Sequence, residues 1–286
     1  MTPGRALRIV TDSSADLPAE LVRELDITVV PLIVTIGERA YEDTSLTPEA
    51  FWRLVAEADA PPRTSQPSPG SLAQAFERLV TAGHDVLCLT ITGVHSGTFG
   101  VAWSVAQAYP GRVTVFDSQS LSLGLGLQVM RAAQWAREGL GLDEILARLR
   151  SLRERIHIVI QLDTVEFIRR GGRVAKLMPL IDRLVRALDL KPLLGIVGGE
   201  LKLLGVARSP RKAMRRILDE IAQLGALDFV AAMHIRCQQR AEELADELAR
   251  LTGMPRESIW LGEAGAVLAV HGGAGTLAAM GVTVEA

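Results

Sequence analysis

The stretch Val86-Leu87-Cys88-Leu89-Thr90-Ile91 is a short, continuous apolar run, and Thr92-Gly93-Val94-His95-Ser96-Gly97-Thr98 follows it at once. An uninterrupted apolar run of this length is typical of a parallel strand that is covered on both faces. The segment after it, rich in glycine and hydroxyl groups, predicts a loop, and we expect a helix from about Gly100. The stretch therefore predicts one strand–loop–helix unit of an α/β fold.

Strand and helix patterns alternate throughout the N-terminal half. We predict strands at residues 7–11, 27–34, 86–91 and 113–116, and helices at 18–25, 48–58, 71–81, 125–137 and 142–155. Such alternation predicts a parallel sheet with right-handed crossovers. Ligands of these sheets bind outside the carboxyl ends of the strands. The loops at residues 12–16, 92–98 and 117–120 are therefore expected to share one edge and to form the leading candidate site.

The pattern changes at Ile156. We predict strands at residues 156–162 and 228–235, helices at 176–189, 211–224 and 239–251, and a hairpin at 193–206 that turns at Gly198-Gly199. Two apolar segments end the chain. The predicted fold class is α/β with two lobes. An N-terminal parallel βα sheet domain spans residues 1–155, and a C-terminal α+β domain with an antiparallel hairpin spans 156–286.

Composition excludes several classes of protein. Hydrophobic residues make up 48% of the 286 residues and charged residues 22%, which excludes a disordered chain. A net charge of −2 and 4% aromatic residues give no indication of nucleic-acid binding. The N-terminal strand pattern leaves no room for a signal peptide, and Cys88 and Cys237 are too few for a disulfide framework, so we expect a cytoplasmic protein.

The familiar cofactor motifs are incomplete. Gly124-Leu125-Gly126 is followed by Val129 where the dinucleotide fingerprint needs glycine, and no P-loop sequence occurs. The five histidines are scattered and form no His-Glu-x-x-His. We therefore expect neither a metal nor a nucleotide cofactor.

Ser96 is also a candidate nucleophile of an esterase or acyltransferase. His271 would serve as a distant base, and Asp12 or Asp117 would orient it. The nucleophile elbow needs Gly-x-Ser-x-Gly, however, whereas this chain has Gly93-Val94-His95-Ser96-Gly97. The esterase stays open as an alternative.

The same hydroxyl groups can instead act as hydrogen-bond donors. Hydroxyls, free backbone N–H groups and a helix N-terminus together bind a carboxylate or a phosphate. Thr64-Ser65-Gln66-Pro67-Ser68-Pro69-Gly70 and His95-Ser96-Gly97-Thr98 both have this character. Some of these hydroxyls are also expected to cap helices. Ser68 or Ser71 would cap the helix that starts near Leu72, and Thr98 would cap the helix that follows it.

Seven motifs, in order along the chain, resemble those of the DegV family of bacterial fatty-acid-binding proteins. They are Val10-Thr11-Asp12-Ser13-Ser14-Ala15-Asp16-Leu17-Pro18, Thr64-Ser65-Gln66-Pro67-Ser68, Ser96-Gly97-Thr98, Phe116-Asp117-Ser118, Leu162-Asp163-Thr164, Arg170-Gly171-Gly172-Arg173, and His271 with Gly273 and Gly275. The resemblance covers nearly the whole chain.

The resemblance implies a protein that encloses one long-chain fatty acid, such as palmitate, stearate or oleate, without a cofactor. It also implies the acyl-binding subunit of a bacterial fatty acid kinase, which has no catalytic cycle of its own and presents the carboxylate to a separate ATP-using kinase. A lipid-binding sensor without a kinase partner is a further alternative.

The resemblance also assigns residues. Thr64 and Ser96 would hold the carboxylate, and Arg173, Arg208, His271 and His95 would lie near the head group or the partner surface. The supporting loops would contribute Asp12, Ser13, Ser65, Gly97, Thr98, Asp117 and Ser118.

Three positions depart from the family pattern. The family usually has serine at Gly93, a leucine-like residue at His95 and proline at Ala274. His95 would add a donor beside the head group, and Ala274 would loosen the loop of His271.

Charge is concentrated in residues 153–216, which we call the basic segment. It has fifteen lysines and arginines against six acidic residues, a net charge of +9. Solvated helix faces would account for this excess. Alternatively, it forms a positive rim that attracts an anionic ligand, an acidic partner or, transiently, an anionic membrane surface.

Overall fold

The computed structural model describes residues 5–164 and 190–285. Within these ranges the chain forms two compact units. The first holds the residues up to 34, residues 40–45 and residues 64–154. The second holds residues 35–39, 46–63 and those from 155 onward, so it includes a helix from the N-terminal half of the sequence.

The N-terminal half has seven strands and six helices in its described residues. The strands are β1 Leu7–Asp12, β2 Thr28–Val30, β3 Ile33–Ile36, β4 Arg39–Glu42, β5 Arg63–Ser65, β6 Asp85–Thr90 and β7 Val113–Asp117. The helices are α1 Ala19–Glu24, α2 Pro48–Glu57, α3 Pro69–Thr81, α4 Thr98–Ala106, α5 Leu123–Arg137 and α6 Leu142–Arg155. Short 3₁₀ helices occupy Ser13–Ala15 and Asp43–Ser45.

A four-stranded parallel sheet of order β2–β1–β6–β7 organises the first unit. Its central strand, β6, is buried from Val86 to Thr90, as its continuous apolar sequence predicts. Helix α3 packs Leu72 and Phe76 into the core beside this sheet. The predicted parallel α/β architecture is confirmed.

The predicted strand at residues 27–34 is wrong as one element. Two strands, β2 and β3, occupy this region, and Pro31 lies between them. Proline has no N–H to donate to a ladder, so a continuous inner strand is disfavoured there. A three-stranded sheet of order β4–β3–β5 was not predicted, because the short strands β4 and β5 are polar.

The C-terminal part has six strands and three α-helices in its described residues. The strands are β8 Ile156–Gln161, β9 Lys191–Val197, β10 Glu200–Ala207, β11 Leu227–His234, β12 Trp260–Glu263 and β13 Leu277–Thr283. The helices are α7 Pro210–Ala222, α8 Gln238–Thr252 and α9 Ala266–Gly272, with a 3₁₀ helix at Arg256–Ser258.

A mixed six-stranded sheet of order β10–β9–β8–β13–β11–β12 organises the second unit. The pair β11–β12 is parallel and the other pairs are antiparallel. Gly198 and Gly199 both have positive φ angles, of 57° and 81°, as a tight two-residue hairpin turn requires. The predicted α+β lobe and its hairpin are confirmed.

Several sequence predictions fall outside the described residues. These are the helix at 176–189 and the side chains Arg169, Arg170, Arg173 and Lys176. Across the residues that are described, no helix is long and apolar enough to cross a membrane.

Candidate functional site

The carboxyl ends of β1, β6 and β7 lie side by side, because these parallel strands are neighbours in the sheet. At this edge Thr11 pairs with Leu89, and Thr90 pairs with Asp117. The loops that follow the three strands therefore share one edge, as the alternation of strands and helices predicts.

Asp12 ties the first two of these loops together. Its buried carboxylate accepts the backbone N–H of Ser14 at 3.1 Å and that of Ile91 at 2.8 Å, as well as a short hydrogen bond from the Ser14 hydroxyl. Burial raises the pKa of the Asp12 carboxyl above its usual value, and the hydrogen bonds from Ser14 and Ile91 oppose that rise. Asp12 is thus a buried structural anchor of the edge.

Asp43 is a second buried carboxylate, at a position that no sequence motif marks. Its backbone N–H donates to the Leu32 carbonyl at 3.0 Å, and the Ser13 hydroxyl oxygen accepts the Leu32 N–H at 2.9 Å. Burial raises the pKa of Asp43 to about 6, against a hydrogen bond from Ser13 and with a smaller contribution from the negative charge of Asp12. No periodicity in the polar stretch around Asp43 indicates this burial.

Ser96 shapes the start of helix α4. Its hydroxyl oxygen accepts the N–H of Thr98 at 3.2 Å and lies 2.8 Å from the Thr98 hydroxyl, while its own N–H donates to the Thr92 carbonyl. The prediction that Thr98 caps this helix is wrong. Gly97 is the N-cap residue and Thr98 is the first helical residue, because the capping hydroxyl comes from Ser96, one residue further back. The prediction for Ser68, which caps α3 by accepting the Ser71 N–H, is confirmed.

The segment of Thr64 lies beside the loop of Ser96. Thr64 is half-buried in β5, Ser65 is exposed at the end of that strand, and Gln66 follows. A Cβ atom at residue 97 would lie 2.9 Å from Cδ of Gln66, closer than real Cβ atoms approach other atoms. The two hydroxyl-bearing segments are therefore neighbours within the first unit. His95, half-buried, belongs to the same loop, and its N–H donates to the Thr92 carbonyl at 3.3 Å.

Asp117 organises the loops after β6 and β7. Both of its carboxylate oxygens lie 3.2 Å from the N–H of Gly93, and one accepts the N–H of Gln119 at 2.9 Å. A Cβ at residue 93 would lie 3.1 Å from the Asp117 carboxylate. Glycine at position 93 thus permits this close approach, which a serine would have to widen.

The inner side of the edge is polar as well. Ser118 is fully buried and its hydroxyl accepts the Ser120 N–H at 3.1 Å, while the Gln128 amide donates to the Ser118 carbonyl at 3.2 Å. Within the described parts of the chain, Thr90 Oγ1, Ser120 Oγ and Gln128 Oε1 are buried and have no hydrogen-bond partner. In the sequence, the hydroxyls of residues 117–120 and the single glutamine within the apolar run at the start of α5 are the signals of this polar interior.

Backbone strain is concentrated at the same edge. Asp16, Gln119 and Ser122 each have a φ of 50°, in the left-handed region that residues other than glycine seldom adopt. The Ser122 hydroxyl donates to the Asp16 carboxylate at 2.7 Å and so joins two of the strained positions. Ser96 is not among the positive-φ residues, so it lacks the strained backbone of a nucleophile elbow.

His271 belongs to the second unit, where it lies half-buried in the last turn of α9. Gly273 and Gly275 follow with φ angles of 76° and 82°, so the spacing His-x-Gly-x-Gly reflects two left-handed positions. A Cβ at residue 275 would lie 2.9 Å from Cβ of Asp163. Arg208 is exposed between β10 and Ser209, which caps α7. Among the residues that can be described, no group of three or more potential metal ligands is present.

Comparisons with known proteins agree with this architecture. A family model described as "Uncharacterised protein, DegV family" matches residues 6–284. A DegV domain-containing protein of Deinococcus radiodurans is 35% identical over 282 residues, which cover 98% of this chain and 98% of that protein.

Two solved structures carry ligand descriptions. One is described as showing fatty acid binding of a DegV family protein from Thermus thermophilus; it is 35% identical, with a TM-score of 0.89 over 98% of this chain and 100% of that one. The other, a stearic acid-binding protein from Eubacterium ventriosum, is 25% identical, with a TM-score of 0.87 over 96% of this chain and 98% of that one.

Proposed function

Because the chain belongs to the DegV family, we propose that it binds one long-chain fatty acid and presents the carboxylate to a separate kinase. The solved relatives from Thermus thermophilus and Eubacterium ventriosum, described as fatty acid-binding and stearic acid-binding proteins, support the first half of this proposal. The ligand would be a saturated or monounsaturated acid such as palmitate, stearate or oleate. In this proposal the protein is a cytoplasmic carrier, and the partner performs the chemistry.

The approach of Gln66 to Gly97 is the observation that carries the proposal. It makes neighbours of the segment with Thr64 and the loop with Ser96, which are the two hydroxyls proposed to hold the carboxylate. A buried carboxylate is costly unless several donors meet it, and charge-assisted hydrogen bonds are stronger than neutral ones. Hydroxyls beside the N-terminus of α4 are suited to this task.

The free energies of acyl-chain burial and of the hydroxyl hydrogen bonds indicate which of the two determines the affinity for the ligand. Burying about fourteen methylenes at roughly 0.8 kcal/mol each gives on the order of 11 kcal/mol before ordering costs. Each hydroxyl contributes about 1–3 kcal/mol to a charged acceptor. The acyl chain would therefore supply most of the affinity, and Thr64 and Ser96 would supply orientation.

In the proposed reaction, a carboxylate oxygen of the bound fatty acid attacks the γ-phosphorus of ATP held by the partner, and ADP leaves. The product is an acyl phosphate. Arg173 and His271, with Arg208 and His95, are proposed to face the head group or the partner. Asp12, Ser13, Ser65, Gly97, Thr98, Asp117 and Ser118 are proposed to support the loops that hold it.

An esterase using Ser96 is the second candidate. The backbone of Ser96 argues against it, because a nucleophile elbow requires the strained left-handed conformation that Ser96 lacks. The hydroxyl of Ser96 is also engaged with Thr98, at 2.8 Å from Oγ1 and 3.2 Å from the backbone nitrogen.

Native mass spectrometry of protein purified from cells tests the proposal. We expect one added mass per chain that matches a fatty acid and disappears after delipidation. Incubation with ATP and a bacterial fatty acid kinase should then convert the bound acid into acyl phosphate. Bound lipid without acyl phosphate would favour a sensor, and ester turnover that Ser96→Ala abolishes would favour the esterase.

A further inference from the structure

We infer that Arg240 is a positioning residue that fixes the turn after His271, so that the imidazole is held in the orientation that the head group or partner requires. This inference rests on the proposed function for the role of His271. The hydrogen bonds of Arg240 to Gly275 and Gln161 lie within the second unit.

The turn in question, residues 272–276, connects α9 to β13 and is bonded at each end. The Thr276 hydroxyl donates to the Gly272 carbonyl at 2.7 Å. The Gly275 N–H donates to the Ile235 carbonyl at 2.8 Å, and the Ile235 N–H donates to the Thr276 carbonyl at 3.0 Å. The turn is therefore attached to the end of β11, the strand that leads into α8.

Arg240 completes this attachment from α8. One terminal guanidinium nitrogen donates to the Gly275 carbonyl at 3.1 Å, and the other donates to Oε1 of Gln161 at 2.5 Å. Gln161 is the fully buried last residue of β8. The planar fork of the guanidinium thus joins three elements, namely α8, β8 and the turn, in a fixed geometry that a lysine could not reproduce with a single nitrogen.

The glycine at 275 explains why this attachment governs His271. Gly275 has a φ of 82° and lies so close to Asp163 that no Cβ would fit. A turn with two left-handed glycines has many alternative backbone conformations. Together with the bonds of Gly275, Thr276 and Ile235, the bond from Arg240 to the Gly275 carbonyl restricts the turn to one of them. His271 lies only four residues away, in the last turn of α9.

The test compares Arg240→Gln and Arg240→Lys with Arg250→Gln as the matched control. Arg250 is on the same helix, is exposed and pairs with Glu247, three residues before it. We expect Arg240→Gln to speed amide exchange of Gly275 and Ile235 by about tenfold or more. The turn loses the Arg240 bond to the Gly275 carbonyl, and the Gly275–Ile235 and Ile235–Thr276 bonds that protect these two amides then open more often. Arg240→Lys, which keeps the charge, should give an intermediate effect, and Arg250→Gln none.

Two readouts separate positioning from a merely structural role. The pH titration of the His271 ring, followed by NMR, should shift in Arg240→Gln. The kcat of acyl phosphate formation should fall about tenfold while fatty-acid affinity stays within about threefold. Faster exchange with an unchanged His271 titration and kcat would overturn the inference, as would unchanged exchange.

If Arg240→Gln does not fold, the same readouts on Arg240→Lys decide. A parent protein that binds no fatty acid, or forms no acyl phosphate, contradicts the proposed function instead. The exchange and the His271 titration then still decide the inference on Arg240.

Discussion

Gln66 occupies the space beside Gly97 that a methyl group at residue 97 would need, with Cδ of Gln66 2.9 Å from the ideal Cβ position. Gly97 is not among the residues with positive φ, so a side chain at this position is opposed by the Gln66 side chain and not by the backbone conformation. The absence of a side chain at 97 thus keeps two hydroxyl-bearing segments together.

The variant Gly97→Ala tests this relationship. Gln66 is exposed, so it and the short segment that carries it can shift outward at low cost, and we expect the unfolding free energy to fall by less than about 1 kcal/mol. Fatty-acid binding should weaken more, by about tenfold, because this shift moves the segment of Thr64 away from the loop of Ser96. Isothermal titration and urea unfolding measure the two effects.

Gly100→Ala is the matched control, since no atom lies within 4 Å of a Cβ at this exposed position in α4. It should raise stability by about 0.5–1 kcal/mol and leave binding unchanged. Equal binding by both variants would mean that the spacing of the two segments is unimportant for the ligand.

Removing the hydroxyls themselves should affect phosphorylation more than binding. Ser96→Ala and Thr64→Val each remove a donor worth about 1–3 kcal/mol to a buried carboxylate, whereas burial of the acyl chain persists. Ser96→Ala should also lower the unfolding free energy by about 1 kcal/mol, because it removes the acceptor of the Thr98 N–H.

Reconstituted acyl phosphate formation measures the first effect and thermal unfolding the second. Ser104→Ala, exposed on α4, should change neither. Parent rates in both Ser96→Ala and Thr64→Val would leave these hydroxyls with a purely structural role.

Asp43 should make stability depend on pH. With a folded-state pKa of about 6 and an ordinary value of 3.8, the folded protein retains a proton between these values that the unfolded chain releases. The free energy of unfolding should therefore fall as pH rises from about 4 to 6, by on the order of 3 kcal/mol from this group. Asp12, whose pKa is also raised, acts in the same direction.

Asp43→Asn should remove the part of this pH dependence of the unfolding free energy that Asp43 contributes. Urea unfolding at several pH values should show the variant gaining stability relative to the parent as pH rises from 4 to 7. Asp59→Asn, at an exposed position, provides the comparison. Parallel curves for parent and Asp43→Asn would contradict the prediction.

The basic segment should affect the rate at which the protein associates with the partner kinase. If it forms a rim for an acidic partner surface, Arg169→Glu, Arg170→Glu or Lys176→Glu should slow association with the kinase, and so should Arg208→Glu, at an exposed position. Rim charges act through long-range steering, which salt screens with a Debye length of about 8 Å at physiological ionic strength. Fatty-acid affinity should stay constant, except in Arg173→Glu, which should affect both.

Stopped-flow association at two salt concentrations provides the measurement. Arg131→Glu, exposed on α5 outside the segment, is the control. A rate that responds neither to salt nor to these substitutions would make the segment an ordinary solvated surface.

The sheet and its edge could be predicted because burial on both faces leaves a direct record in sequence, as in the apolar strand β6. The short strand β5 leaves none, since Arg63-Thr64-Ser65 is polar and only three residues long. The assignment of residues 46–63 to the second unit could not be predicted from the sequence either. Helix α2 has an ordinary amphipathic pattern, which does not specify the element against which its apolar face packs.

The residue types of the site could be predicted better than its contacts. Hydroxyls and glycines after strands indicated the edge of the sheet. The shift of the helix cap from Thr98 to Gly97, however, depends on the hydrogen bond that the Ser96 hydroxyl accepts from the Thr98 N–H. The burial of Asp43 depends on Leu32 and Ser13, which are distant in sequence and meet it only after folding.

The bond between Ser122 and Asp16 bears on which substitutions these two positions tolerate. Glycine would adopt a φ of 50° without steric penalty at either position, so relief of backbone strain alone would favour substitution by glycine. Each serine or aspartate lost in this way would also lose the 2.7 Å bond that joins the loops. A saturation library selected for stability should therefore accept glycine at Gln119, whose side chain has no such bond in the described structure, and reject it at Ser122.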